Sequence, residues 1–495
     1  MHNLGLGPWI SRRRVKSVGK PAIIAGDLVR TYDELAERID RLADALIARA
    51  VAPGDRIAYL GANAPEFLET LFAAGAAGAV FVPLNTRLAA PEIAYQLEDS
   101  GAAIVIVSAE CAPLLAGSAT TSITVGDDYE RMLADAKPTR RDLTVSLDDP
   151  AMILYTSGTT GRPKGAVLTH GNMTWNSINV LIDYDVTSRD VALMVAPLFH
   201  VAALGMGALP TLLKGGTLVL QSKFEPGAAL AAIERHRVTT LSGVPTTFQL
   251  MVEHPDWATA DLTTLEKLTC GGSTVPARVA SAYEQRGLAF SGGYGMTETA
   301  PGATSLSPAR ALDKGDSTGL PHFFTDVSII TESGDVAAPG EVGEIRVKGP
   351  NVFREYWQRP EATAEVLVDG WLRSGDLGYT DDEGFVYVAD RLKDMIISGG
   401  ENIYPAEVEQ ILMERDEVES VAVIGVPHDR WGEVGVAVVV LTDGANVSAD
   451  DLIAYFDGRI ARYKVPKSIV FIDELQRTAS GKPRKAELRA RFTEK

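Results

Sequence analysis

Cysteine is scarce in this chain, with only Cys111 and Cys270 among 495 residues. Two thiols cannot build a disulfide framework, so the sequence predicts a protein of a reducing compartment, the cytoplasm. No long apolar run precedes the arginines at 12–14, which argues against a secretory signal. The longest uncharged stretch, residues 191–213, is interrupted by prolines, glycines and a histidine. We therefore interpret it as buried core with loops and not as a transmembrane segment.

The chain also lacks positive charge, with 47 Lys and Arg against 65 Asp and Glu and a net charge of −18. Such a chain is a poor partner for nucleic acid, whose phosphates would repel it. The basic tail, residues 459–495, is the exception, because it carries 11 basic and 4 acidic side chains. A second basic cluster between residues 12 and 20 is a candidate for weak peripheral contact with anionic membrane, and a solvated surface is the alternative.

The pattern of apolar residues predicts an α/β fold. At 46% apolar and 23% charged residues the composition is that of a soluble globular protein, and the length allows roughly three folding units. The first 140 residues alternate between helical and strand periodicity, which is typical of parallel βαβ units. The predicted strands there are 56–60, 80–83 and 103–107, and the predicted helices are 32–50, 64–78 and 91–100. The alternation returns over residues 191–243, with strands predicted at 217–220 and 240–242 around a helix at 228–237.

After residue 319 the sequence predicts short alternating strands at 326–330, 343–348 and 385–388, separated by Gly, Pro and Asp, which indicates a β-rich subdomain over 319–392. From residue 393 the pattern becomes α+β, with helices at 406–413 and 449–461 and strands at 418–425 and 434–441. The predicted architecture is thus a large N-terminal domain of βαβ layers with a β-rich subdomain, residues 1–392, followed by a small C-terminal α+β domain, residues 393–495.

The strongest local signal is the loop at residues 155–165, YTSGTTGRPKG, which follows a strand-like run. Its glycines, hydroxyls and Lys164 suit the binding of phosphates, although the Gly-Lys-Ser/Thr of a Walker A loop is missing. A polar surface turn is the alternative. Weaker signals follow in order: a Gly-Gly-Ser turn at 271–273, Tyr-Gly-Met-Thr-Glu at 294–298, and Ser-Gly-Asp at 374–376.

Together with Pro-Leu-Phe-His at 197–200, the run at 390–402 and Gly-Lys at 481–482, these motifs resemble the adenylate-forming superfamily. The resemblance covers nearly the whole chain and is nearest to stand-alone bacterial fatty-acyl-CoA ligases. It implies that a carboxylate attacks the α-phosphorus of ATP, with Mg²⁺ bound, and that coenzyme A then displaces AMP.

The resemblance assigns the nucleotide site and the catalytic groups. Lys482 is implied to act between the carboxylate and the α-phosphate, with Thr297, Glu298 and His200 as the other catalytic residues. Thr156 and Glu298 are implied to hold the metal. The implied ATP-binding residues are Thr156, Ser157, Gly158, Thr159, Thr160, Gly161, Lys164, Gly271, Gly272, Ser273, Tyr294, Gly295, Met296, Thr297, Asp376, Arg391 and Lys482.

The same resemblance implies an acyl pocket and a second half-reaction. The pocket residues are His200, Val201, Ala202, Gly243, Val244, Gly271, Gly295 and Met296, which are mostly small or apolar and suit a fatty or aromatic tail. The C-terminal domain is implied to rotate about a hinge at Lys393 and so bring Ser398, Gly399, Gly400 and Glu401 toward the thiol.

Three readings stay open. The first is an acyl-CoA ligase that acts on a fatty acid or an aromatic acid. The second is an enzyme that hands its acyl-adenylate to a carrier protein or another nucleophile. The third is an inactive sensor of nucleotide or acyl-CoA. The expected partners are a small carboxylic acid, ATP and CoA, and a homodimer is one option for the quaternary state.

Overall fold

The computed structural model describes residues 3–139, 143–156, 163–271, 275–391, 394–398, 401–428, 431–457, 459–460, 462–477 and 482–493. Contacts between residues divide the chain into two compact units. The first unit comprises Met1–Val327 and Val347–Leu372, and the second comprises Ser328–Arg346 and Arg373–Lys495.

The strands are numbered along the chain. They are β1 Pro21–Ala25, β2 Leu28–Thr31, β3 Arg56–Leu60, β4 Val80–Leu84, β5 Ala102–Val107, β6 Thr121–Thr124, β7 Pro150–Thr156, β8 Lys164–Thr169, β9 Val191–Met194, β10 Thr217–Leu220, β11 Thr240–Gly243, β12 Lys267–Cys270, β13 Phe290–Ser291, β14 Thr304–Ser305, β15 Leu320–Pro321, β16 Asp326–Ile330, β17 Gly343–Lys348, β18 Glu355–Tyr356, β19 Leu367–Val368, β20 Trp371–Thr380, β21 Val386–Arg391, β22 Ile396–Ser398, β23 Glu401–Ile403, β24 Val418–His428, β25 Gly432–Leu441 and β26 Ser468–Phe471.

The helices are numbered in the same way. They are α1 Trp9–Arg14, α2 Tyr32–Ala48, α3 Pro65–Ala76, α4 Ala90–Ser100, α5 Asp127–Asp135, α6 His170–Asp183, α7 Leu209–Lys214, α8 Pro226–His236, α9 Pro245–Glu253, α10 Ala277–Glu284, α11 Ala311–Lys314, α12 Pro360–Val366, α13 Pro405–Met413, α14 Ala449–Ala454 and α15 Lys485–Thr493. A π-helix, Ala203–Ala208, leads directly into α7.

Two seven-stranded sheets form the first unit. One has the order β18-β8-β7-β4-β3-β5-β6 and the other the order β13-β12-β11-β9-β10-β1-β2. In the second sheet β13, β12, β11, β9, β10 and β1 run parallel. Its core packs Leu193, Leu241 and Leu268 against Phe248 and Tyr283. Parallel strands buried in this way carry the continuous apolar runs that the sequence pattern detects.

The second unit contains a sheet of order β23-β22-β25-β24, with β26 parallel to β25. Alternate side chains of strand β24 pack into two apolar cores: Val421 and Val423 belong to one cluster, and Ala422 and Ile424 belong to the other. The two-residue period of a strand explains why both faces of β24 are apolar. Within the same unit, β20 and β21 pair antiparallel from Asp376 to Arg391.

The predicted α/β class with a small α+β unit is confirmed. Strands β3, β10, β16 and β17 have the predicted bounds, and the bounds of the other predicted strands differ by one to three residues. The helix predicted at 449–461 is wrong in length, because α14 ends at Ala454. The chain there tightens into turns, with Phe456 N donating to Ile453 O, ahead of the poor helix former Gly458. The boundary at 392/393 falls outside the described residues and stays a prediction.

Candidate active site

Four predicted site segments in the first unit follow neighbouring parallel strands. Residues 197–200 come after β9, Gly243 and Val244 end or follow β11, Gly271 follows β12, and residues 294–296 come after β13. These strands are adjacent in the order β13-β12-β11-β9. Because the carboxyl ends of parallel strands meet at one sheet edge, the fold gathers the segments there, the usual position of ligands in such sheets. None of this follows from the sequence spacing, since the segments are far apart in the chain.

Close backbone packing shapes this edge. Gly271 N donates to Gly243 O at 3.1 Å, which ties two of the segments together. Gly295 forms a β-bridge with Gly302, and a Cβ atom on Gly295 would lie 1.8 Å from Pro301 O. Only glycine therefore fits at position 295, where the predicted nucleotide-binding segment passes over the following loop.

Lys164 and Glu298 lie on either side of a tyrosine that the sequence analysis did not single out. The hydroxyl of Tyr356 donates to Glu298 Oε1 at 2.6 Å, and Lys164 Nζ lies 5.3 Å from the centre of the Tyr356 ring. Glu298 is buried, with a relative exposure of 5%. Burial first, and the neighbouring Glu298 second, raise the pKa of Tyr356 well above its usual range, so the hydroxyl keeps its proton and donates.

A magnesium ion that arrived with a nucleotide would fit this chemistry. Among the described residues no group of three or more His, Cys, Asp or Glu side chains could hold a metal. Mg²⁺ is usually held by one or two carboxylates plus substrate phosphates and water, and the buried Glu298 supplies one such carboxylate. Thr156, the other predicted ligand, ends β7 opposite Lys164, and its hydroxyl donates to Lys164 O at 3.4 Å.

Asn176 is a second residue that the sequence analysis missed. In the π-helix Leu209 N bonds Leu204 O, and Pro210 has no N–H to offer Gly205 O. Asn176, fully buried on α6, donates from Nδ2 to Gly205 O at 2.9 Å and accepts from Gly302 N at 3.1 Å. One side chain thus joins the π-helix that follows His200 to the loop that follows Glu298. Pro210 was the sequence signal for an irregular helix at this place.

A small cavity lies against one face of the same sheet, because its strand residues alternate along β11 and β12. The cavity is lined by Thr240 and Ser242 of β11, Lys267 and Thr269 of β12, and Tyr184, with other residues of α6, the π-helix and α7. Lys267 Nζ is bound to Asp190 Oδ2 at 2.8 Å and to a backbone carbonyl. The lining of this cavity is more apolar than polar, although it includes the hydroxyl-bearing residues Ser242 and Thr269.

The second unit carries the remaining described candidates. Asp376 is buried on β20, opposite Arg391 of β21, and its N–H donates to Ser374 Oγ at 3.1 Å. Ser398 ends β22 and pairs with Glu401 of β23. Lys482 is exposed and directly precedes Pro483, which bridges to Arg477. The following predicted residues lie outside the described ones: Ser157, Gly158, Thr159, Thr160, Gly161, Gly272, Ser273, Lys393, Gly399 and Gly400.

The N-terminal basic cluster is occupied with intramolecular contacts. Arg13 Nε donates to Leu213 O at 2.5 Å and Lys20 Nζ to Gly215 O at 2.6 Å, so both cations cap the carboxyl end of α7. Arg14 pairs with Asp33. These contacts favour the surface alternative over a membrane anchor. No helix among the described residues is long and apolar enough to cross a bilayer.

Two protein families match the chain: the AMP-binding enzyme family over residues 11–357, and the AMP-binding enzyme C-terminal domain over residues 407–482. A feruloyl-CoA synthase of an Amycolatopsis species is 56% identical, over 99% of this chain and 100% of the relative. A long-chain-fatty-acid–CoA ligase of Mycobacterium tuberculosis is 37% identical, over 100% and 99%.

Among solved structures, the o-succinylbenzoate coenzyme A synthetase of Bacillus subtilis in complex with ATP and a magnesium ion superimposes with a TM-score of 0.86. It is 34% identical, and the match covers 97% of this chain and 98% of that one. The predicted resemblance and the prediction of an enzyme are both confirmed: the chain belongs to the AMP-binding enzyme family.

Proposed function

We propose that this protein is an AMP-forming acyl-CoA ligase that activates a ring-bearing carboxylic acid with polar ring substituents. The observation that carries the proposal is the placement of Lys164 and Glu298 around Tyr356, in the unit whose parallel-strand edge gathers the acyl segments. The Lys164 and Glu298 side chains suit a magnesium-bound triphosphate, and the sheet edge suits a carboxylate beside it.

The reaction has two steps. An oxygen of the substrate carboxylate attacks the α-phosphorus of ATP, and the bond to pyrophosphate breaks, which gives acyl-AMP. The thiol of coenzyme A then attacks the acyl carbon, the bond to AMP breaks, and the thiol proton is released. Bound Mg²⁺ supplies charge neutralisation on the phosphates. Lys164 and Lys482 are proposed to bind the phosphate oxygens, and Asp376 is proposed to accept the ribose hydroxyls.

The proposed substrate is an aromatic acid in preference to a fatty acid, although the motifs of the sequence are nearest to those of fatty-acyl-CoA ligases. Two residues of the small cavity, Ser242 and Thr269, support an aromatic acid, because their hydroxyls would lie unpaired against a saturated chain. A hydroxyl or methoxyl on an aromatic ring gives such groups a partner. The 56% identical relative is named for an aromatic acid, and the relative named for long-chain fatty acids is 37% identical.

The test is a panel of acids incubated with ATP, Mg²⁺ and CoA and analysed by mass spectrometry. The panel contains cinnamate, its 4-hydroxy and 4-hydroxy-3-methoxy forms, and dodecanoate and hexadecanoate. We expect the hydroxylated aromatic acids to have the highest kcat/KM. Higher kcat/KM for the fatty acids would contradict the proposed substrate class.

The same experiment separates the acceptors. Acyl-AMP that accumulates in the presence of CoA would favour delivery to a carrier protein or another nucleophile. No turnover of any acid would favour an inactive sensor. Thr269→Val, which keeps the side-chain shape and removes the hydroxyl, should lower kcat/KM for hydroxylated acids and leave that for cinnamate unchanged.

A further inference from the structure

Residues 351–357 contribute more to the Glu298 region than any sequence motif indicated. Phe353 N donates to the main-chain oxygen of Glu298 at 2.8 Å, and the Tyr356 hydroxyl donates to its carboxylate at 2.6 Å. Asn351 Nδ2 donates to Thr299 O at 3.0 Å. One short segment therefore fixes both the backbone and the side chain of Glu298.

Tyr356 is itself held by the strand that begins with Lys164. It pairs antiparallel with Ala166 of β8, and Trp357 N donates to Gly165 O at 2.7 Å. The backbone N–H of Tyr356 donates to Thr363 Oγ1 at 2.9 Å. The ring of Tyr356 packs edge-on against Phe353, with ring centres 4.9 Å apart. These contacts leave the ring little freedom to turn, so the hydroxyl and the ring face have fixed directions.

The two polar contacts of Tyr356 differ in kind. A hydroxyl that donates to a buried carboxylate forms a charge-assisted hydrogen bond, which orients the carboxylate plane. The ring face attracts the ammonium group of Lys164 electrostatically. Removing the hydroxyl alone, or the ring as well, therefore separates the two contacts experimentally.

We propose that Tyr356 is a positioning residue for adenylation, which orients the Glu298 carboxylate toward magnesium and holds Lys164 for the phosphates. This inference rests on the proposed function. It goes beyond that function by assigning a task to a side chain that itself need touch neither substrate nor metal. Partners that orient a metal-binding side chain are typically worth about 10–100-fold in metal affinity.

The test compares Tyr356→Phe and Tyr356→Leu with a matched control, Tyr129→Phe. Tyr129 is also buried, and its hydroxyl donates to a carboxylate, Glu69 Oε2, at 2.7 Å on α3. ATP binding is measured by calorimetry over a range of Mg²⁺ concentrations. The two half-reactions are followed as pyrophosphate exchange and as thioesterification of supplied acyl-AMP.

We expect Tyr356→Phe to raise the Mg²⁺ concentration for half-maximal ATP binding and exchange by about 10-fold or more. Thioesterification should stay within about 2-fold of wild type. Tyr356→Leu should in addition weaken ATP binding at saturating Mg²⁺, because Lys164 loses the ring. Tyr129→Phe should leave the magnesium dependence unchanged.

An unchanged magnesium dependence in Tyr356→Phe, or a shift equal to that of Tyr129→Phe, overturns the proposal. A double-mutant cycle with Glu298→Gln is a second measurement, and strictly additive effects of the two substitutions also overturn it. Calorimetry needs neither acid nor CoA. Loss of the proposed function would therefore appear as normal magnesium-dependent ATP binding without turnover, distinct from failure of the Tyr356 inference.

Discussion

Two glycines of the π-helix test how tightly this helix packs beside the sheet edge that gathers the predicted site segments. A Cβ atom on Gly205 would lie 2.6 Å from both Ala300 O and Pro301 Cδ. A Cβ atom on Gly207 would lie 2.8 Å from Met194 Cε and 3.0 Å from its sulfur. The first contact is with backbone and a ring, and the second is with the flexible end of a methionine. The same substitution, two residues apart, thus meets a rigid and a compliant neighbour.

The expected magnitudes follow from these neighbours. Overpacking a rigid site costs about 1–3 kcal/mol, and replacing glycine by alanine within a helix returns roughly 0.5–1 kcal/mol. Gly205→Ala should therefore destabilise the first unit by about 1–2 kcal/mol. Gly207→Ala should be near neutral, because methionine adapts its rotamer.

The assay is the denaturant midpoint of each variant together with KM for the acid. Residues 300 and 301 directly follow the Glu298 turn, and Asn176 links Gly205 O to the next residue, Gly302. A displaced π-helix should thus raise KM for the acid by about 10-fold in Gly205→Ala, which corresponds to about 1.4 kcal/mol. KM for the acid in Gly207→Ala should stay near the wild-type value. Equal effects of the two alanines on the midpoint and on KM would refute the reasoning.

Further predictions concern chemistry, the hinge and acid stability. Lys482→Ala should abolish pyrophosphate exchange and spare thioesterification of supplied acyl-AMP; surviving exchange would contradict its role. Lys393→Pro should slow the second half-reaction more than the first, and equal slowing in stopped-flow traces would count against a hinge. Burial lowers the pKa of His170 to about 4, partly opposed by Asp149, against 6.5 unfolded. The unfolded state then binds more protons, so about 3 kcal/mol of stability should be lost between pH 6.5 and 4. The free energy of unfolding of His170→Gln, measured by urea titration, should fall less between pH 6.5 and 4 than that of the wild type. An equally steep fall in the variant would show that His170 is not the cause.

The sequence predicted much of the fold because the information is local. Strands 56–60 and 217–220 have the predicted bounds, since runs of apolar residues flanked by turn residues mark buried parallel strands. That the site segments lie close together was implied only by the family resemblance, and apolar periodicity did not predict it. Adjacency of β13, β12, β11 and β9 depends on sheet order, which apolar periodicity within one strand does not encode.

Tyr356 and Asn176 escaped prediction for the same physical reason. The Tyr356–Glu298 hydrogen bond joins residues 58 positions apart, and the bond from Asn176 to Gly205 joins residues 29 apart. Tyr356 lies outside every motif that the sequence analysis singled out, and Asn176 is one of several polar residues on α6. Their importance comes from what the fold places opposite them.

The basic tail, residues 459–495, forms ion pairs within the second unit. Lys485 pairs with Glu409 at 2.7 Å and Arg489 with Asp394 at 2.8 Å, and Glu409 also accepts from Val423 N. These pairs join α15 to the segment just after the predicted hinge and to α13. Because they are largely shielded from solvent, they hold α15 more firmly than exposed pairs would. Lys482 comes just before α15 in the chain, so two of the tail's basic side chains, Lys485 and Arg489, anchor the helix beside the predicted catalytic lysine.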